Sequence, residues 1–140
     1  MEKAARAVII DGKNIITIKR TKYDEEGKIK DIYYTIPGGH LENNETFEEA
    51  VIREVEEEIS IKIDIIKEFA HIYNEDINKE EIFYYAKIKS GKVSCGNGPE
   101  FSNPNLKKYG KYEIKHVAIK DLSNYKILPE CIKEIIIKEL

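Results

Sequence analysis

Residues 39 to 61 read GHLENNETFEEAVIREVEEEISI, and the reading of this stretch decides the fold. From Thr46 to Glu58 it contains neither glycine nor proline. Thr46 and Glu49 have the spacing of a capping box, in which each side chain satisfies a free amide of a helix's first turn. Phe47, Val51 and Val55 recur at helical spacing and form an apolar stripe about 80° wide. The stretch therefore predicts one amphipathic helix over 46–58, entered from a polar loop.

The helix is also acidic, with Glu45, Glu48, Glu49, Glu54, Glu56, Glu57 and Glu58 crowded along it. At about 100° per residue, Glu48, Glu49 and Glu56 point sideways or away from the stripe, as on an ordinary solvated face. Glu54 and Glu58 fall within and beside the stripe, and Glu57 lies next to Ala50 on its edge. Three carboxylates are thus expected to converge on a flank that faces the protein. Like charges four residues apart repel, and partial burial penalises each uncompensated ion further. Arg53, one of three arginines in the chain, is adjacent but cannot neutralise three carboxylates. A divalent cation is the natural counter-charge, and all-oxygen ligation suits Mg2+ or Mn2+. Such ions keep waters and bind phosphate oxygens, which points to phosphoryl chemistry. Just upstream, Pro37-Gly38-Gly39 follows a strand-like segment; glycines let the backbone approach a ligand closely, and a carbonyl there can itself be a ligand.

Working outward, Lys3 to Arg20 reads as a hairpin turning at Asp11-Gly12. Thr21 to Ile29 is polar and reads as an exposed, mobile loop, followed by a strand over 31–36. Beyond the helix, Ile61 to Tyr73 and Glu81 to Ser90 are strand-like and suited to pair as a hairpin. Gly91 to Gly110 is a long Gly/Pro-containing loop, Lys111 to Ile119 a final strand, and Ile132, Ile135, Ile136 and Leu140 stripe a C-terminal helix that opens at Pro129. The plan is α+β, a mixed sheet with helices covering it.

Composition narrows the class. The chain has 140 residues, enough for one domain with a real core, and no internal repeat or linker divides residues 1–140. Charged residues make up 35%, yet Lys+Arg 23 against Asp+Glu 26 leave a net charge of -3. That balance argues against a nucleic-acid polymer as partner. No apolar run approaches the roughly 20 residues of a membrane span, and the N-terminus has no cleavage-site pattern. Cys95 and Cys131 are too few for a disulfide framework and lack metal-ligand spacing, which fits a reducing compartment. The expectation is a soluble, cytoplasmic protein with no membrane partner.

Taken together, Gly39-x5-Glu45-x7-Arg53-Glu54-Val55-x-Glu57-Glu58-x-Ser60-Ile61 resembles the Nudix box, whose pattern is G-x5-E-x7-R-E-U-x-E-E-x-G-U with U aliphatic. The match spans 39–61, and chance would produce it on the order of once in a hundred thousand sequences of this composition. The one departure is Ser60, where the family usually has glycine at a left-handed helix end. The resemblance, MutT-like in its flanks, implies a Nudix-type α/β/α sandwich and an Mg2+-dependent pyrophosphohydrolase, with Mn2+ as the other candidate metal. The substrate class it implies is a nucleoside diphosphate linked to another moiety. A nucleoside triphosphate, oxidised ones included, is the leading expectation, with a sanitation role. ADP-ribose or another nucleotide sugar, dinucleoside polyphosphates, and a noncatalytic nucleotide-sensing module are the alternatives. Carried over by position, Glu54, Glu57, Glu58 and the Gly39 carbonyl are metal ligands, and Glu54, Glu57 and Arg53 are catalytic, Arg53 by orienting a glutamate. Glu45 braces the loop against the helix or binds an outer metal. Homodimers are common in the family.

Further candidates for substrate contact are Arg6, Arg20, Gly38, Glu45 and Glu100, the last being the first choice for an additional acid, with Glu81 or Glu113 in its place. Arginine suits phosphate through its planar fork. Tyr33, Tyr34, Phe83, Tyr84 and Tyr85 are read mostly as core; His40, next to the glycine pair, is a minor candidate for substrate contact, His71 and His116 are read as structural, and nothing in the sequence around Cys95 marks it as a reactive thiol. No Ser/His/Asp order suggests a covalent nucleophile.

Overall fold

A computed structural model describes residues 1–94 and 110–140. Strand β1 (Glu2–Asp11) turns at Gly12, whose φ is 61°, into β2 (Asn14–Tyr23), with Ile10 opposite Ile15 and Asp11 opposite Asn14. A short turn follows, in which the Asp24 carboxylate accepts from the Glu26 and Lys28 amides at 2.9 Å, and then β3 (Ile29–Thr35) returns beside β2. Thr21, Lys22 and Tyr23, expected in a loop, belong to β2, and Thr21 is buried. Polar composition misleads there because the backbone of β2 is hydrogen-bonded to β3 on that stretch, whatever its side chains.

The Pro-Gly-Gly turn is itself part of the sheet. Residues Gly38–His40 form β4, antiparallel to β1, with Gly39 opposite Ala5 and Gly38 opposite Arg6. Helix α1 (Phe47–Ile59) starts at Thr46, where both halves of the capping box are made, Glu49 N to Thr46 Oγ1 at 3.1 Å and Thr46 N to Glu49 Oε1 at 3.0 Å. It ends at Ser60 in the left-handed conformation, φ 64° and ψ 27°. Strands β5 (Ile61–Asn74) and β6 (Lys79–Gly91) form the expected hairpin, and β6 also runs parallel to β1. Strand β7 (Lys111–Ala118) pairs with β2, and after a 3-10 helical turn over Ile119–Asn124 a further short strand, β8 (Ile127–Leu128), lies parallel to β3. Strand β7 is therefore not the last. Helix α2 (Glu130–Glu139) closes the chain, with Pro129 as its N-cap residue.

One feature of this mixed sheet positions everything else. Strand β1 pairs with β2 only near their shared turn, through Ile9–Asp11, while its first half takes β4 as neighbour over Ala4–Arg6. Strand β2 correspondingly leaves β1 after Ile16 and pairs with β3 from Ile18 onward, with β7 along its other edge. The sheet forks, and a cleft opens between the arm carrying β1 and β4 and the arm carrying β2, β3 and β7. Buried Thr17 sits at the branch, its hydroxyl donating to the Lys115 carbonyl at 3.0 Å.

Both faces are covered. On one, Ala50, Val51, Val55 and Ile59 of α1 pack on Ala5, Ala7, Ile9, Ile16 and Ile18. On the other, Ile132 and Ile136 of α2 join Val8, Ile15, Phe83, Val117 and Leu122. Alternate residues of β1 and β6 serve opposite cores, as the two-residue period of a strand requires. The result is a helix on each side of a mixed sheet, an α+β sandwich. Each fully buried Val or Ile of α1 contributes about 1.5–3 kcal/mol, against about 1 kcal/mol for its cap, so docking holds α1 and capping sets where it begins. Ile135 is half-buried, but Leu140, expected in the α2 stripe, is exposed. The Tyr85 hydroxyl donates to Glu139 at 2.7 Å, and burial together with that carboxylate pushes the phenol pKa up. Phe83, Tyr84, Tyr85 and Tyr33 are buried, as expected of strand aromatics. No described helix is long and apolar enough to cross a membrane.

Ser60 occupies a left-handed position that glycine adopts without strain. Ser60→Gly is expected to raise stability by about 0.5–1 kcal/mol, read as an upward shift of the urea midpoint at constant slope. An unchanged or lowered midpoint would show that the serine carries no such strain.

Candidate active site

The turn into β4 works only without side chains. Gly38 has φ 147°, and a Cβ there would lie 2.2 Å from the Ala5 carbonyl oxygen and 2.7 Å from Arg6 Cα. Gly39 lies against α1, where a Cβ would fall 2.5 Å from Glu54 Cδ and 2.6 Å from its Oε2. The Gly38 amide donates to Glu58 Oε1 at 3.1 Å. Two glutamates one helical turn apart thus lie directly on glycine backbone, one carboxylate per glycine.

Arg53 ties the surrounding loop together. Its Nε and Nη2 donate to the two carboxylate oxygens of Glu45 at 2.6 and 2.9 Å, a bidentate pair. Nη2 also donates to the His40 carbonyl at 3.1 Å, and Nη1 to Glu54 Oε1 at 3.1 Å and Glu57 Oε2 at 3.2 Å. The Glu42 amide completes the Glu45 shell at 2.8 Å. The Arg53 hydrogen bonds, followed by that amide, hold the Glu45 carboxyl down to about 2, and Glu45 foremost keeps Arg53 protonated. Glu45 braces loop against helix, one of the two roles its position suggested.

The expected convergence of three carboxylates is only partly realised. Glu54 and Glu58 face the cleft, whereas the Glu57 side chain is 53% exposed and held by Arg53. The cause is angular: positions 54 and 58 differ by about 40°, while 57 lies about 60° to the other side of 54. Among the described residues, no group of three or more His, Cys, Asp or Glu side chains is gathered to hold a metal ion. The donor chemistry nevertheless fits a hard cation, with two carboxylates on a glycine turn and open volume for the waters such ions keep.

The cleft has a volume of about 390 Å³. Glu54, Glu58, Gly38, Gly39 and His40 line one side, and Ile18, Arg20, Thr35 and Tyr112 the other, with Arg6 at the junction. Acid and base therefore face each other across the fork. Arg6 is engaged, its Nε with Glu81 at 2.8 Å and its Nη1 with the Ile36 carbonyl at 3.0 Å. Glu81 is accordingly committed to Arg6 and, at 3.8 Å, to Lys79. Glu113 neighbours cleft-lining Tyr112 on the same strand and so points to the opposite face, where Lys111 and Lys115 flank it. His40 sits at the rim. His71 pairs with Glu80 and His116 with Asp11, both on exposed positions away from the cleft. Glu100 and Cys95 lie outside the described residues. Tyr112 and Thr35 were not anticipated; their strands were legible, but not which face of the fork they line.

A sequence profile of the NUDIX domain family matches residues 1–122. Among solved structures, MutT studied from Aliivibrio salmonicida and Vibrio cholerae superposes with a TM-score of 0.67 at 22% identity, covering 99% of this chain and 98% of that one. An ADP-ribose pyrophosphatase from Streptococcus suis superposes at 0.64 with 13% identity, over 99% and 90% of the two chains. A UDP-X diphosphatase gives 0.66 at 16% identity, over 99% of this chain and 61% of that one. At these identities the likeness is one of fold.

The depressed Glu45 carboxyl makes stability depend on pH. Its folded pKa, about 2, lies below the ordinary 4.5, so the stabilisation is complete above about 4.5 and is lost as pH falls toward 2. Thermal melts of the wild type and Glu45→Gln should differ most near neutral pH and converge in acid. A gap of constant size would mean that the pair adds nothing beyond packing.

Proposed function

Because the chain belongs to the NUDIX domain family and is a Nudix hydrolase, we propose that it cleaves the diphosphate linkage of a nucleoside diphosphate derivative, with a nucleoside triphosphate as the leading substrate. The observation that carries this reading is the placement of Glu54 and Glu58 on the Gly38–Gly39 backbone, in a cleft that Arg20 also lines. A diphosphate cannot approach such carboxylates unaided. Glu54, Glu57, Glu58 and the Gly39 carbonyl would hold Mg2+, or Mn2+ in its place. A divalent ion bound there lowers the pKa of its water and offsets charge on phosphoryl oxygens.

The chain's own groups do the rest. Arg53, fixed by Glu45, holds the Glu54 and Glu57 carboxylates in orientation, so that reorganisation during the reaction is small. Proton acceptance from the attacking water falls to Glu54 or Glu57, both in hydrogen-bond contact with the Arg53 guanidinium. The fork separates the two tasks: α1 and β4 carry the diphosphate chemistry, and the β2–β3–β7 arm meets the remainder of the substrate. The intact Arg53, Glu54, Glu57 and Glu58 set supports turnover over a purely sensing role.

The test is a panel of nucleoside triphosphates, oxidised triphosphates, ADP-ribose, nucleotide sugars and dinucleoside polyphosphates, each assayed with Mg2+, with Mn2+ and with chelator. Turnover of a triphosphate, abolished by chelator, is expected. Glu54→Gln, Glu57→Gln and Glu58→Gln should each lower kcat/KM by at least about 100-fold with unchanged circular dichroism. Full activity in Glu57→Gln would sink its role; nucleotide binding with no product across the panel would identify a sensor.

A further inference from the structure

The three arginines of the chain meet different fates. Arg53 is surrounded by glutamates and Arg6 is paired with Glu81. Arg20 lines the same cleft, yet no carboxylate among the described residues pairs with it. Its partners are aromatic. The antiparallel registers place it directly opposite Tyr112 of β7 on one side and Tyr33 of β3 on the other, three residues in a row across adjacent strands. Its Cζ lies 4.5 Å from the Tyr112 ring centroid and 5.4 Å from that of Tyr33, and its Nη2 donates to the Tyr112 hydroxyl. Lys22, exposed, adds a second cation 5.5 Å from the Tyr33 ring.

Aromatic faces hold a guanidinium without cancelling its charge, since the ring carries a quadrupole and no net charge. A carboxylate partner would hold it as firmly but neutralise it. The arm across the cleft from Glu54 and Glu58 therefore presents a positive charge that no carboxylate of the described residues cancels, with planar donors suited to phosphate oxygens. Resting on the hydrolase reading above, we propose that Tyr112 is a positioning residue: with Tyr33 it holds Arg20 so that the guanidinium donates to a phosphate oxygen of the substrate on the side of the cleft away from the glutamates. Neither tyrosine touches substrate in this scheme; both act through Arg20.

Such a role has a signature. Mg2+-ADP is the binding probe, measured by calorimetry, and Mg2+-ATP the kinetic one. Arg20→Met should weaken ADP binding and raise KM about 30-fold, and Tyr112→Ala about 10-fold, each with kcat within about 2-fold of wild type. Tyr112→Phe, which keeps the ring and loses the hydroxyl, should fall between Tyr112→Ala and wild type and serves if Tyr112→Ala melts early. Arg20→Lys should rescue only in part, because lysine lacks the planar fork. The double variant Arg20→Met/Tyr112→Ala should bind no more weakly than Arg20→Met alone, since the tyrosine has nothing left to position. Additive losses, or ADP binding unaltered in Tyr112→Ala and Tyr112→Phe, would overturn the assignment. A wild type that hydrolyses ATP while Arg20→Met binds ADP normally would overturn it and leave the hydrolase reading standing; a wild type that neither binds ADP nor hydrolyses any member of the panel would overturn both.

Discussion

The contact between glycine backbone and glutamate carboxylate is the constraint on which the rest of this structure depends. With Cβ atoms at Gly38 and Gly39, β4 could not lie against β1 and α1 at once, because each would meet backbone or carboxylate inside 3.0 Å. Removing two side chains lets a strand and a helix approach closely enough for carboxylates to stand over peptide groups. The cost of crowding acids there is met in part by amides, as Gly38 N does for Glu58, and in part by one guanidinium. Arg53 is placed to serve both ends of the loop because Glu45 seizes it bidentately before α1 begins.

Much of this was legible in the sequence for local reasons. The capping box, the apolar stripe and the left-handed Ser60 all concern residues within a turn or two of each other, so spacing alone determines their relation. The β1–β2 turn and the β5–β6 hairpin were readable for the same reason. The inward placement of Glu54 and Glu58 followed from angle. The outward set of Glu57 has the same angular origin, but its place beside Ala50 lies at the edge of the stripe, and whether that edge is covered depends on which neighbours flank α1.

What escaped was non-local. The extension of β2 through Tyr23 depends on β3 alongside it, and β8 exists because Ile127 and Leu128 find the edge of β3, not through any strand-like run of their own. The commitment of Arg6 to Glu81 joins residues far apart in the chain, brought together by the parallel register of β1 and β6. Tyr112 was invisible as a cleft residue for the same reason, its meaning set by the register that puts it opposite Arg20. Position along a strand can be read from a pattern; position across a sheet requires knowing the partner.

The branch at Thr17 carries a consequence for how such a molecule diversifies. One buried hydroxyl, bonded to the Lys115 carbonyl, marks where β2 exchanges β1 for β3 as its neighbour. On one side of that seam, residues are constrained by carboxylate geometry and tolerate little change. On the other, the strands share cores with both helices, Ile16 and Ile18 with α1 and Ile15 and Val117 with α2, and line the cleft wall opposite the glutamates. Mutations can therefore accumulate on the second arm, reshaping what is recognised, while the first is inherited intact, so that a lineage can acquire new substrates without reinventing its chemistry.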